Sequence, residues 1–239
     1  MNEELRSRVA RLSCASLVDA MGRLHGHRAH LGPLTSPNPA RVLFGPVVTI
    51  AFMPYRDDLP EAGLGFGPLL DRALPHAEPG AVVVLSAGGY EDVSHAGATK
   101  LSRLQNHGLA GLLTDARLRD FSKLARYDFA TWCGGEATRW GGDTVMPFAA
   151  NVAVEVGGVC VSPGDYAYAD AAGAVIVPAA SLGRVVDEAE VIERADEHFL
   201  DQIRAEDPTI GADRSASEDS GWVDHHELDA RARRQRPGG

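Results

Sequence analysis

Residues 97–120 read GATKLSRLQNHGLAGLLTDARLRD. Leu101 and Leu104 stand three apart behind a glycine, the spacing of one helix face, which predicts a helix over 97–107. Gly108 stops it, because glycine accepts the left-handed conformation that ends helices. LAGLLT at 109–114 is a short apolar run bounded by polar residues and reads as a buried strand. DARLRD at 115–120 is then the turn at that strand's C-terminal end, the usual place for a ligand in α/β proteins. A helix feeding directly into a buried strand is the building block of an α/β fold.

The flanking sequence extends this pattern. Residues 3–24 carry Leu5, Val9, Leu12, Leu17, Val18 and Met21 at helical spacing, with Ser13 placed to cap a second helix. Residues 27–40 are rich in Pro, Gly and Ser and read as loop. FGPVVTIAFM at 44–53 and AVVVLS at 81–86 predict strands, with a short helix near 69–74 between them. A short helix at 121–125 and a strand at 129–132 follow, and the glycine-rich stretch 133–147 reads as loop. Residues 152–156 and 159–161 predict a hairpin closed by Gly157-Gly158. A strand pair at 166–170 and 174–177 comes next, then a long helix over 181–206 whose core face includes Val185, Val186, Ile192, Phe199 and Ile203. Residues 207–239 are polar and read as a tail with a short helix at 224–234. The expected organisation is a single domain over 1–206 followed by that tail. Helices are missing between the later strands and no G-x-G-x-x-G follows the first, so a layered α/β sandwich is expected rather than a Rossmann sheet.

The bulk numbers exclude several classes. A chain of 239 residues with 44% apolar content builds a core without disulfides or structural zinc. Its formal charge of −10 disfavours nucleic acid as a partner. The three cysteines, Cys14, Cys133 and Cys160, form neither a disulfide framework nor a zinc pattern, so a reducing, cytoplasmic setting is expected. No run of 18 apolar residues exists, and no membrane association is expected.

Chemistry concentrates in the opening stretch. Gly97, Ala98, Thr99 and Lys100 would present backbone N–H groups and a cation at a helix start, a ready carboxylate or phosphate site. In the turn after the strand, a carboxylate from Asp115 or Asp120 suits a hard cation such as Mg²⁺ or Mn²⁺. Arg117 or Arg119 beside it suits a substrate carboxylate or an enolate oxygen. Taken alone, the arginine–aspartate pair reads better as a surface salt bridge. Glu91, Asp92 and His95 in the preceding loop are candidate bases, and histidine has the best placed ordinary pKa of the three. Trp132, Cys133, Gly134, Gly135 and Glu136, with Arg139 and Trp140, read as the lining of a pocket or as a loop packed on a neighbouring subunit. Asp224-His225-His226-Glu227 is metal-like in composition, but adjacent residues do not converge easily on one ion.

The order of Gly97, Gly108 and Asp115-Ala-Arg-Leu-Arg119-Asp120 resembles the family that unites the regulator of ribonuclease activity A (RraA) with the 4-hydroxy-4-methyl-2-oxoglutarate aldolases. Further matches run in order from about residue 10 to 205: Val18–Gly22, Gly45–Thr49, Pro79–Val84, Val156–Val159 with Ser162–Asp165, and Asp170–Pro178. The resemblance implies an αββα sandwich assembling as a homotrimer or homohexamer with sites at subunit contacts. It implies a class II, metal-dependent lyase that cleaves or decarboxylates a 2-keto acid through a pyruvate-type enolate. Asp120 would hold Mg²⁺ or Mn²⁺, Arg119 would bind substrate and stabilise the enolate, and residues 97–100 would cradle the carboxylate. Glu193 or Glu197 of a neighbouring subunit would hold a metal-bound water. The sequence departs from the family at Ala98, where an acidic residue is usual, and at Ala116 and Arg117. His95 is the candidate replacement for the missing acid. An altered reaction on a larger substrate, or a non-catalytic RraA-like binder, are the alternatives this departure leaves open.

Overall fold

The computed structural model describes residues 3–59 and 63–205. Residues 3–195 form one compact unit, and the end of the last helix from Asp196 onward belongs to a second. The polar tail, its expected helix and the 224–227 cluster lie outside the described residues.

Among the described residues the α-helices are α1 (Glu3–Val9), α2 (Cys14–Leu24), α3 (Phe66–Ala73), α4 (Ala98–Asn106), α5 (Phe121–Leu124) and α6 (Leu182–Arg204). The break at Ser13 is real: Ser13 Oγ accepts the Ser16 N–H at 3.1 Å and Ser16 Oγ accepts the Ser13 N–H at 3.3 Å. The first strands are β1 (His30–Leu31), β2 (Leu43–Pro54), β3 (Val82–Ser86), β4 (Ser94–Ala96), β5 (Gly111–Thr114), β6 (Arg117–Leu118), β7 (Ala130–Trp132) and β8 (Gly135–Glu136). They are followed by β9 (Val145–Ala150), β10 (Val154–Val156), β11 (Val159–Val161), β12 (Tyr166–Asp170) and β13 (Gly173–Val177).

β2 organises the molecule. Its first residues, Leu43 to Pro46, pair antiparallel with β12. From Val47 to Ala51 it pairs parallel with β3, and from Ile50 to Pro54 antiparallel with β9. The resulting order is β1-β13-β12-β2-β3-β5-β7, with β9 on the free flank of β2. β2, β3, β5 and β7 run parallel, so their C-terminal ends lie together.

Alternation along these strands sorts side chains into layers. Val48, Ile50, Val83, Leu85 and Leu112 face α3, α4 and α5 through Leu69, Leu70, Leu101 and Leu104. Val47, Val82, Val84 and Leu113 face the other way, onto β10–β11 and the alanines of β12. The opposite face of β12 and β13, carrying Tyr166, Tyr168, Val175 and Val177, packs on α1, α2 and α6. Helices, sheet, sheet, helices is the expected αββα sandwich. The antiparallel β9, β12 and β13 separate it from a Rossmann sheet.

Three readings need correction. Residues 27–40 are not all loop, since His30 and Leu31 form β1 against β13. The 133–147 stretch is not plain loop, since it holds β8 and the start of β9. Phe199 and Ile203 are exposed rather than on a core face; the buried stripe of α6 ends at Ile192.

One polar tie crosses the fully buried middle of β2. Thr49 Oγ1 donates to the Val152 carbonyl at 2.6 Å and accepts the Val152 N–H at 3.1 Å. Thr49→Val keeps the shape but strands both backbone groups, so urea unfolding should show a loss of about 1–3 kcal/mol.

Candidate functional site

The site is built on a second, smaller sheet. β4, β6 and β8 are parallel, in the order β4-β6-β8. Their continuations are Gly97–Ala98, Arg119–Asp120 and Ala137–Thr138, and parallel strands put all three at one rim. Backbone hydrogen bonds extend the pairing into these continuations: the Arg119 N–H donates to the Ala96 carbonyl at 3.0 Å and the Ala137 N–H to the Leu118 carbonyl at 2.9 Å.

Along β6, Leu118 is fully buried, so Arg117 and Arg119 share the opposite, outer face. Asp120 then turns the chain in the left-handed conformation, φ 67° and ψ 41°, which aspartate tolerates better than most residues. This turn carries its carboxylate back to the start of α4. Asp120 Oδ2 accepts the Ala98 N–H at 3.2 Å, doing for α4 what its N-cap residue Gly97 cannot. A methyl group on Gly97 would stand 2.8 Å from that oxygen, so glycine there makes room for the carboxylate.

The N–H groups of Thr99 and Lys100 remain without a protein acceptor among the described residues, as helix starts allow. Arg119 has no carboxylate partner among the described residues. Desolvation, and then the Arg119 guanidinium, lower the pKa of the Lys100 ammonium. Two cations, free helix amides and one carboxylate thus meet at the rim in a chain that is acidic overall. Such a setting suits an anion.

Asp115, the other acidic candidate of the turn, is committed elsewhere. Its Oδ1 accepts the Ala87 N–H at 3.0 Å and its Oδ2 the Gly157 N–H at 2.9 Å. The carboxylate pins the end of β5 to the loop after β3 and to the β10–β11 turn. Desolvation raises its pKa against these stabilising hydrogen bonds.

His95 lies within β4 but faces inward. It is 2% exposed, its ring nitrogens stand 3.0 Å from the Val93 carbonyl and 3.1 Å from the Ala87 carbonyl, and Phe52 lies edge-on at 4.7 Å. Desolvation lowers its pKa despite those two carbonyls. With both nitrogens directed at the backbone, it presents none to the rim. Glu193 is likewise occupied inside its own chain, accepting from Ser13 N at 3.0 Å and Ser13 Oγ at 2.8 Å.

Trp132 and Cys133 are buried in the core, and burial pushes the Cys133 thiol up to about 11. Glu136 and Arg139, by contrast, line a shallow groove of about 410 Å³ with Asp92, Arg117, Ala137 and Thr138. Glu136 Oε1 accepts the Phe121 N–H at 3.0 Å, next to the Asp120 turn. The β4-β6-β8 sheet is absent from the sequence reading, although Gly134 carried a signal of it. A Cβ there would stand 2.3 Å from the Asp115 carbonyl, so glycine marks a close backbone approach.

The model of the RraA-like family (aldolase/RraA) matches residues 14–176. The chain belongs to this family. A Halalkalibacterium halodurans protein provisionally named 4-hydroxy-4-methyl-2-oxoglutarate aldolase is 29% identical over 126 residues, 53% of this chain and 60% of its own. DlpA of Legionella pneumophila is 23% identical over 78% of this chain but only 29% of its own length. The chain therefore spans less than two thirds of either relative. RraAS2 of Streptomyces coelicolor, titled an unusual member of the RNase ES inhibitor RraA family, superposes with a TM-score of 0.73. It is 29% identical to this RraA-like chain, and the match covers 84% of this chain and 98% of that one. A Pseudomonas syringae protein shares the fold at TM-score 0.71 and 21% identity, over 87% of this chain and 95% of its own.

Asp115→Ala removes both acceptors of the β5 clamp and leaves two N–H donors without partners. Chemical denaturation should show a loss of about 2 kcal/mol, toward the low end for two partly solvated groups.

Proposed function

We propose that this RraA-like chain is a divalent-metal-dependent carbon–carbon lyase that cleaves or decarboxylates a 2-keto acid. The observation that carries this reading is Arg119, free of any carboxylate partner among the described residues, beside Lys100, Asp120 and the open amides of α4. The provisional aldolase name of the H. halodurans relative supports it.

The donor set fits a hydrated cation. Asp120 spends Oδ2 on Ala98, which leaves Oδ1 for an ion. Among the described residues no three His, Cys, Asp or Glu side chains converge on one point. An ion held by one carboxylate keeps most of its waters, as Mg²⁺ and Mn²⁺ do and structural Zn²⁺ does not. Such an ion supplies Lewis-acid polarisation of the substrate's keto oxygen. The protein's share is positional. Thr99 and Lys100 amides hold the keto acid's carboxylate, and the Arg119 guanidinium faces the oxygen on which enolate charge develops. One such donor contributes roughly 3 kcal/mol to the transition state. The Arg117 and Arg139 side of the groove receives the remainder of the substrate.

We read the assembly as a homotrimer or homohexamer. Phe199 and Ile203, one turn apart near the end of α6, leave apolar side chains exposed, and subunit contact would cover them. Light scattering should report three or six chains; a monomer at micromolar concentration would overturn this part.

A second reading is a non-catalytic ribonuclease regulator, favoured by the match to nearly the whole of RraAS2 and by the alanine at position 98. One experiment separates the two. Pyruvate release from 4-hydroxy-4-methyl-2-oxoglutarate and oxaloacetate is measured with Mg²⁺ or Mn²⁺, for the natural chain and for Asp120→Asn. Asparagine tolerates the left-handed backbone and can still cap α4, so the fold is preserved. The lyase reading expects kcat/KM to fall about 100-fold or more in the variant, and chelation to abolish turnover. Turnover indifferent to both excludes the metal role. No turnover at all, together with stoichiometric capture of a ribonuclease, establishes the regulator.

A further inference from the structure

The backbone of β6 stays extended through both of its arginines. The Arg117 N–H donates to the Glu91 carbonyl ahead of β4 at 3.2 Å, and the Arg119 N–H to Ala96 of β4 at 3.0 Å. On the other edge the Ala116 and Leu118 carbonyls accept the Gly134 and Ala137 N–H groups, both at 2.9 Å. Donors to one side and acceptors to the other, two residues apart, are the pattern of one continuous strand over 116–119. Ala116 and Leu118 are fully buried, so Arg117 and Arg119 project from the same outer face. Their Cα atoms stand roughly 6.6 Å apart, two residues along a parallel strand.

Arg117 is held in place without being satisfied. Gly135 of β8 is its register partner, and a Cβ there would collide with Arg117 Nη1, so bare backbone seats the guanidinium. Nη1 reaches the Glu136 carbonyl at 3.4 Å, and Nε lies 3.7 Å from Asp92, whose side chain is 99% exposed. A guanidinium carries five N–H donors, and a loose pair in solvent contributes little. The other cation of the groove, Arg139, is engaged by its own loop, through Thr144 Oγ1 at 3.0 Å and Asp143 at 3.9 Å. Arg117 thus belongs to the groove by its side chain and shares the strand face of Arg119. It also stands where the chain departs from the family pattern.

We propose that Arg117 is the specificity-determining residue of this site and holds a second carboxylate, at the end of the substrate away from the keto group. The assignment rests on the lyase reading above. With the keto-acid head at Arg119 and the α4 amides, a tail laid along the outer face of β6 meets Arg117 next. Charge-assisted, bidentate hydrogen bonds to a carboxylate outcompete the solvated contact with Asp92. The class selected is 2-keto dicarboxylic acids over 2-keto acids of equal length with a neutral tail. Arg117 touches no reacting atom, and its contribution is to binding.

The test compares the natural full chain, Arg117→Gln and Arg117→Lys, each with Mg²⁺. Two pairs of compounds differ only in a terminal carboxylate or methyl group. Calorimetry on the uncleavable pair, 2-oxoglutarate and 2-oxopentanoate, reads binding without turnover. The natural chain should bind the dicarboxylate about 10- to 100-fold more tightly, and Arg117→Gln should bind the two alike. Lysine keeps the charge but not the planar fork, so Arg117→Lys should fall between them. Cleavage of 4-hydroxy-2-oxoglutarate and 4-hydroxy-2-oxopentanoate should show the same loss of preference, carried by KM rather than kcat. If the glutamine variant does not fold, the lysine variant carries the comparison, and its intermediate preference is the expected result. A natural chain without preference for the dicarboxylate, or variants that retain it in full, overturn the role of Arg117. Preference in binding that the glutamine variant loses, with neither hydroxy acid cleaved, overturns the lyase reading and leaves Arg117 as an anion-binding residue.

Discussion

The architecture depends on β2 hydrogen-bonding into two sheets at once. Its first four residues belong with β12 and the next five with β3, so a single continuous backbone joins the two layers. A strand buried on both faces must satisfy every N–H and C=O within the protein. β2 does so by exchanging β12 for β9 along one edge while keeping β3 on the other. The parallel direction it imposes on β3, β5 and β7 brings the ends of these strands together. Asp115, at the end of β5, locks that end to the hairpin of the other layer. The small sheet carrying the rim is anchored on this arrangement.

Most of the framework was legible because long apolar strands and amphipathic helices leave periodic traces. VVTIAFM, VVVLS, the Leu101–Leu104 pair and the Gly157-Gly158 hairpin each declared themselves through spacing or turn chemistry. The site's own scaffold did not. β6 and β8 are two residues long each, too short for any alternation to register. Their existence depends on pairing between segments far apart in sequence, and Gly134 and Gly135 serve that approach rather than chain flexibility. Position mattered as much as identity: His95 had the right chemistry, yet its strand turned it inward.

The local electrostatics run against the global sign. With a formal charge of −10, the surface as a whole repels small anions. Lys100 and Arg119 hold the opposite charge at one point, close enough that the guanidinium lowers the pKa of the ammonium. Neither has a carboxylate partner among the described residues, and two like charges held near each other cost stability. The acidic exterior and the basic rim together favour ligands that reach the rim and disfavour loose association elsewhere.

The left-handed turn at Asp120 limits how this protein can change over time. Its side chain caps a helix and its backbone sits where most residues are strained by about 1 kcal/mol or more. Replacement by a bulky or β-branched residue removes the cap and adds strain in one step. Asparagine is the cheap exit, because it keeps the turn and the cap while discarding the charge. On the lyase reading, a descendant that lost the metal-holding carboxylate but kept its fold would therefore be expected to record the event as a single Asp-to-Asn change at this position, leaving an intact scaffold available for a different task.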